Sequence, residues 1–105
     1  MTTDTSRTEL AKAETLNATQ TPGTVTIKAA GDKPTPGHQV SFRKTAIAIF
    51  PPQYELILTP PQRPVIQVVT PFEAEVSFAA VPVVKAVIVF DAAGKHSINV
   101  DQAQD

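Results

Sequence analysis

Apolar and polar positions alternate most cleanly over Phe72-Glu73-Ala74-Glu75-Val76-Ser77-Phe78-Ala79-Ala80. Phe72, Ala74, Val76, Phe78 and Ala80 share one side, while Glu73, Glu75, Ser77 and Ala79 share the other. A two-residue period of this kind belongs to a strand with one face in a core and one in water. Beyond Val81-Pro82, residues 83–90 are apolar at nearly every position except Lys85, which predicts a strand covered on both faces. Such a strand belongs in the middle of a sheet; at an edge, the same residues would instead contact another chain.

The pattern recurs in shorter form elsewhere. Thr24-Val25-Thr26-Ile27-Lys28 alternates, is rich in β-branched residues and runs into Ala29-Ala30-Gly31. Residues 88–94 echo it, ending in Ala92-Ala93-Gly94. In both places glycine can take the left-handed conformation that a tight connection requires, and the second predicts a hairpin over residues 91–95 into a last strand, 96–100. Lys33-Pro34-Thr35-Pro36-Gly37 reads as a loop, because its two prolines remove ladder donors. Residues 39–50 run long for one strand. Val40, Phe42 and Lys44 set one phase and Ile47 and Ile49 the other, so a bulge near Arg43-Lys44-Thr45 is expected to switch faces, the alternative being a segment 46–50 buried on both sides. Pro-Pro-Gln occurs at 51–53 and again at 60–62, each time followed by a strand-like apolar run. Two copies are too few for a solenoid, so each is expected to open a connection that leads into a strand.

Residues 1–23 differ from all of this. They are dominated by Thr, Ala, Glu, Asn and Gln and hold no aromatic or β-branched aliphatic residue, so they bury too little to offset the entropy of ordering. They read as a flexible, disordered N-terminal arm. Within it Ser6-Arg7-Thr8-Glu9 has capping-box spacing, and Leu10, Ala13 and Leu16 fall on one helical face. A helix of about three turns is marginal alone in water, so it would form against a partner or a neighbouring subunit.

About seven short strands spaced near ten residues apart, with no helix in the folded part, predict an all-β chain. The expected architecture is a small antiparallel β-sandwich, immunoglobulin-like, over residues 24–100, with a polar tail at 101–105; a small β-barrel is the alternative. At 105 residues and 42% hydrophobic, the chain suffices for one domain with a modest core. Ten acidic residues against nine basic ones give a net charge of −1, so no strong field draws the protein to nucleic acid or anionic lipid. There is no cysteine for a disulfide, a thiolate metal site or a nucleophile. No run approaches the roughly 18 apolar residues of a membrane span or has the form of a secretory leader, which leads to an expected cytoplasmic or virion-associated location without membrane contact.

Candidate chemistry is sparse. His38 and His96 are the only histidines; His96 follows Asp91 by five residues across the predicted hairpin, but Ser97 beside it would point to the opposite face. No Gly-x-Ser-x-Gly elbow and no phosphate-cradling glycine motif occurs. Glu73 and Glu75 share a strand face away from the aromatic residues, as a solvated surface would, with Lys85 or Arg43 as possible cross-strand partners. Asp32, Asp91, Asp101 and the histidines lack metal-ligand spacing. No catalytic residue, cofactor or metal is therefore assigned. Pro61-Gln62-Arg63-Pro64 has the spacing of a polyproline ridge, and the apolar content of residues 65–90 exceeds what one small sheet face hides. Candidate partner contacts are Leu10, Leu16, Phe50, Tyr54, Pro61, Arg63 and Pro64. The expected function is a non-enzymatic structural or protein–protein interaction module, self-associating or built into a larger assembly, for which a phage or bacterial accessory protein is the nearest analogy. A small-ligand or carbohydrate-binding sandwich using loops around Tyr54 and Arg63, and a nucleic-acid-binding barrel built on Phe42, Arg43, Lys44 and Arg63, are the alternatives.

Overall fold

The computed structural model describes residues 9–45, 51–80 and 83–102, and every regular element among them is a strand. In chain order these are β1 (Glu9–Leu10), β2 (Thr15–Thr21), β3 (Gly23–Lys33), β4 (Gln39–Lys44), β5 (Gln53–Thr59), β6 (Thr70–Ala80), β7 (Ala86–Asp91) and β8 (Gly94–Gln102). They join in a single sheet. One edge of β5 is taken by β4; its other edge is shared by β7, opposite residues 53–55, and β1, opposite residues 57–58. From β7 the order continues through β8, β2 and β3 to β6. The two ends, β4 and β6, approach within 8 Å between Cα atoms without pairing, so the sheet curls into a half-barrel. This form fits the small-barrel alternative, and the strands do not divide into the two separate sheets of the expected sandwich. Nor is the sheet purely antiparallel, because β2 pairs with β8 and β5 with β7 in parallel.

The interior is lined from all sides of the curl. Val25 and Ile27 of β3, Leu56 of β5, and Val87 and Val89 of β7 are fully buried, each contributing about 1.5–3 kcal/mol relative to an exposed side chain. Phe72 and Ala74 of β6 are buried, Val76, Phe78 and Ala80 are half-buried, and Glu73, Glu75, Ser77 and Ala79 face solvent, as the alternation requires. β7 lies between β5 and β8, with Val87, Ile88 and Val89 all buried. Its position is central, so these residues are core and not an edge contact.

Two tight connections follow from local chemistry. Thr21 pairs with Thr24 across Pro22-Gly23, where proline fixes the first turn position and Gly23 takes φ 87° at the second. Asp91 pairs with Gly94 across Ala92-Ala93, with Gly94 at φ 128°, which is the hairpin expected at residues 91–95. Gly31 behaves otherwise. It lies inside β3, and a Cβ there would sit 2.8 Å from the Lys12 carbonyl oxygen and 3.1 Å from Phe72 Cε2. Glycine admits the chain at residues 12–14 to the strand; it does not turn it.

Further expectations are corrected. Residues 9–21, assigned from composition to the arm, form β1 and β2, and the helix through Leu10, Ala13 and Leu16 is absent; residues 1–8 lie outside the described residues. β2 is held along its length by β3 and at Ala18, Thr19 and Gln20 also by β8, so it forms a strand without large apolar side chains, and small Ala18 is wholly buried. Residues 65–69 form no strand, although β6 begins directly after them. The polar tail also begins later than expected, since β8 extends to Gln102. The bulge expected near Arg43-Lys44-Thr45 is not found there: Arg43 pairs with Glu55 and Lys44 with Tyr54 one for one, and Thr45 N donates to the Gln53 carbonyl, so no extra residue enters the strand, while the segment at 46–50 lies outside the described residues.

Candidate protein-interaction surface

The missing strand at residues 65–69 has a local cause. The last pair of the β3–β6 ladder is Lys33 with Thr70, after which β3 enters Pro34-Thr35-Pro36. Proline has no N–H to offer, so the ladder stops and the chain before Thr70 overhangs the sheet. Among the described residues no backbone-to-backbone hydrogen bond reaches Val65-Ile66-Gln67-Val68-Val69. Two side chains close locally on this segment, Gln67 Nε2 donating to the Val65 carbonyl and Thr70 Oγ1 to that of Val68. Ile66 is 69% exposed, Val68 53% and Val69 67%. Three β-branched side chains and an unpaired backbone thus stand in water together.

The base of the overhang is anchored. Val65 Cγ1 and Pro61 Cβ lie 2.7 and 3.0 Å from where a Cβ on Gly37 would be, so the connection rests on the loop after β3. That loop is organised by buried Thr35, whose hydroxyl accepts from Gly37 N and hydrogen-bonds His38 Nδ1 at 2.8 Å, while Lys33 Nζ donates to the His38 carbonyl.

The predicted contact residues do not form one surface. Pro61, Arg63 and Pro64 lie on the connection before the overhang, with Arg63 and Pro64 exposed and Pro61 half-buried. Leu16 packs into the interior between both halves of the core. Tyr54 is a core residue: it is 5% exposed, stacks on Phe78 at 5.7 Å between ring centroids and meets Phe42 edge-on at 6.4 Å. Burial raises its phenol pKa above 10.0. These rings, from β4, β5 and β6, fill the interior where the sheet's ends approach. Phe50 lies outside the described residues. Leu10 is half-buried and lines an open groove of about 660 Å³ with Phe90, Arg43, Lys44, Thr45, Gln53 and Glu55. Within that groove Arg43 meets Glu55, its register partner, with Nη2 to Oε1 at 2.7 Å. A separate groove of about 380 Å³ on the outer face of β2, β3 and β6 is lined by Thr15, Asn17, Lys28, Glu73 and Glu75 together with three alanines.

Asp91 and His96 do come together, with Nε2 2.8 Å from Oδ1. Asp91 is 2% exposed and also accepts from Ala13 N and Ala93 N, while Ala92 N donates to the Ala11 carbonyl. Burial works to raise its pKa, but the hydrogen bonds from Ala13, His96 and Ala93, with the charge of His96, outweigh it and hold the carboxyl below 3.8. Among the described residues no serine or threonine hydroxyl hydrogen-bonds His96, and no three His, Asp or Glu side chains converge as metal ligands would. The arrangement clamps the chain between β1 and β2 onto the β7–β8 hairpin. Periodicity could not find it, because Ala13 is 78 residues from Asp91. Compared with family models, curated proteins and solved structures, the chain matches none.

Proposed function

We propose that this protein is a non-enzymatic interaction module that works by protein–protein contact, associating with itself or within a larger assembly. The observation that carries the reading is the overhang at residues 65–69, where Ile66, Val68 and Val69 are exposed beside unpaired backbone. Apolar surface of this kind is costly in water and marks a place where another chain can pair, since an extended segment gains ladder hydrogen bonds and buries alternate side chains in one step. The test is sedimentation velocity over a range of concentrations, with a pull-down by the intact chain. The expected result is concentration-dependent association or a specific partner, either one weakened by Ile66→Lys. A monomer at millimolar concentration that captures no partner would remove the reading.

A second reading is the binding of a small polar ligand in the groove on β2, β3 and β6. Asn17, Lys28 and Glu75 are register neighbours across these strands and supply donors and acceptors at one level. A panel of sugars and amino acids titrated by NMR should shift the Asn17 and Lys28 amides; unchanged spectra would dispose of it.

A further inference from the structure

Resting on the interaction reading, we infer that the occupant of the overhang is a second copy of this chain, paired antiparallel to it about a two-fold axis at Gln67. Such an interface is isologous: each residue meets the residue equally far on the other side of the axis. Val65 then faces Val69 of the partner subunit, Ile66 faces Val68 of the partner subunit, and Gln67 faces Gln67 of the partner subunit. The segment Val65-Ile66-Gln67-Val68-Val69 is apolar on both sides of a central amide, so every apolar side chain finds an apolar, β-branched one opposite. A one-residue slip would set Gln67 against a valine or isoleucine.

Charge supports the same register. Arg63 and Glu73 are both exposed and lie four residues before and six residues after Gln67. Under the two-fold, Arg63 is diagonal to Glu73 of the partner subunit, within reach of a long side chain, and the symmetry makes this contact twice. Elsewhere, Arg43 already has Glu55, whereas no ion pair within one copy is made by Arg63 or Glu73 among the described residues. Five residues a side bury less than the roughly 1,200 Å² of a standard stable interface, so this dimer is weak and forms at micromolar concentration or above.

The test sets two variants with equal loss of apolar surface against each other. Ile66→Lys/Val68→Lys opposes like charges across both Ile66–Val68 pairs and should weaken dimerisation tenfold or more. Ile66→Lys/Val68→Glu opposes unlike charges in the same places and should recover most of that loss. A cross-link adds position: the chain has no cysteine, and Cα atoms about 4.5–5.5 Å apart across an antiparallel pair suit a disulfide. Gln67→Cys should therefore oxidise to a covalent dimer, while Asn99→Cys, exposed on β8, should not. Association in which both double variants are equally weak, or both cysteines link equally, overturns the strand pairing while leaving the interaction reading standing. A chain that stays monomeric yet binds another protein overturns the second copy as occupant. No association of any kind overturns both.

Discussion

Residues 65–69 and residues 72–80 lie two residues apart, are both largely apolar, and have opposite fates. The second stretch pairs with β3 along its whole length and places Phe72 and Ala74 in the core. The first pairs with nothing within the chain and leaves Ile66 and Val69 two-thirds exposed. Propensity does not separate them; the availability of a neighbour does, and Pro34 decides where that neighbour ends. A strand is a property of two segments.

Removing a neighbour is the most severe way to break the comparison. Deleting residues 1–21 takes β2 away from both β3 and β8, and should abolish cooperative thermal unfolding followed by circular dichroism. Next, Phe72→Ala in the paired stretch should cost about 3–5 kcal/mol in urea denaturation, whereas Val69→Ala in the overhang should stay within about 0.5 kcal/mol. Equal costs would mean that the overhang is packed in solution. Gly31→Ala tests the close approach opposite Phe72: its new Cβ meets backbone at residues 12–14, and about 1–3 kcal/mol should be lost. The smallest effect concerns the Asp91 clamp. Because its folded pKa lies below 3.8, its contribution is complete above that value and is lost as pH falls through the lower folded one. Stability measured from pH 5 to pH 2 should therefore decline less steeply in Asp91→Asn, which starts lower, than in the parent chain.

Much of the sheet was legible from period alone. The alternation at residues 72–80 and the Ala-Ala-Gly hairpin describe what a segment wants from its immediate surroundings and are found, and the apolar run at 83–90 is found as a strand from Ala86 on, with Val83 left exposed. What misled was surroundings supplied from afar. β2 was hidden because Thr15-Leu16-Asn17-Ala18-Thr19-Gln20-Thr21 holds little to bury, yet its alternation and the Pro22-Gly23 turn were both visible signs of a hairpin. The overhang reads as a strand because the run at 65–69 has the right residues, and only the register of β3 shows that the ladder ends at Thr70. The chain around Tyr54 reads as a binding loop, whereas β5 turns its ring between Phe42 and Phe78.

A buried amide has a role beyond hydrogen bonding in this sheet. Gln20 of β2 is 5% exposed; its Oε1 accepts from Val84 N at 2.8 Å and from Gln102 Nε2 at 3.1 Å, and its Nε2 donates to the Ala80 carbonyl at 3.4 Å. A strand of threonines and small residues could slide by two positions and still point its threonines outward. Sliding β2 by two would bring Ala18 or Pro22 to this place, and neither carries a side chain that can accept from Val84 N. The resulting orphaned donor would cost about 1–3 kcal/mol, enough to favour one alignment by roughly fivefold or more. Gln20 thus acts as an indexing pin, adding to the register that the Pro22-Gly23 turn sets with β3 a second fix at the opposite side of the strand.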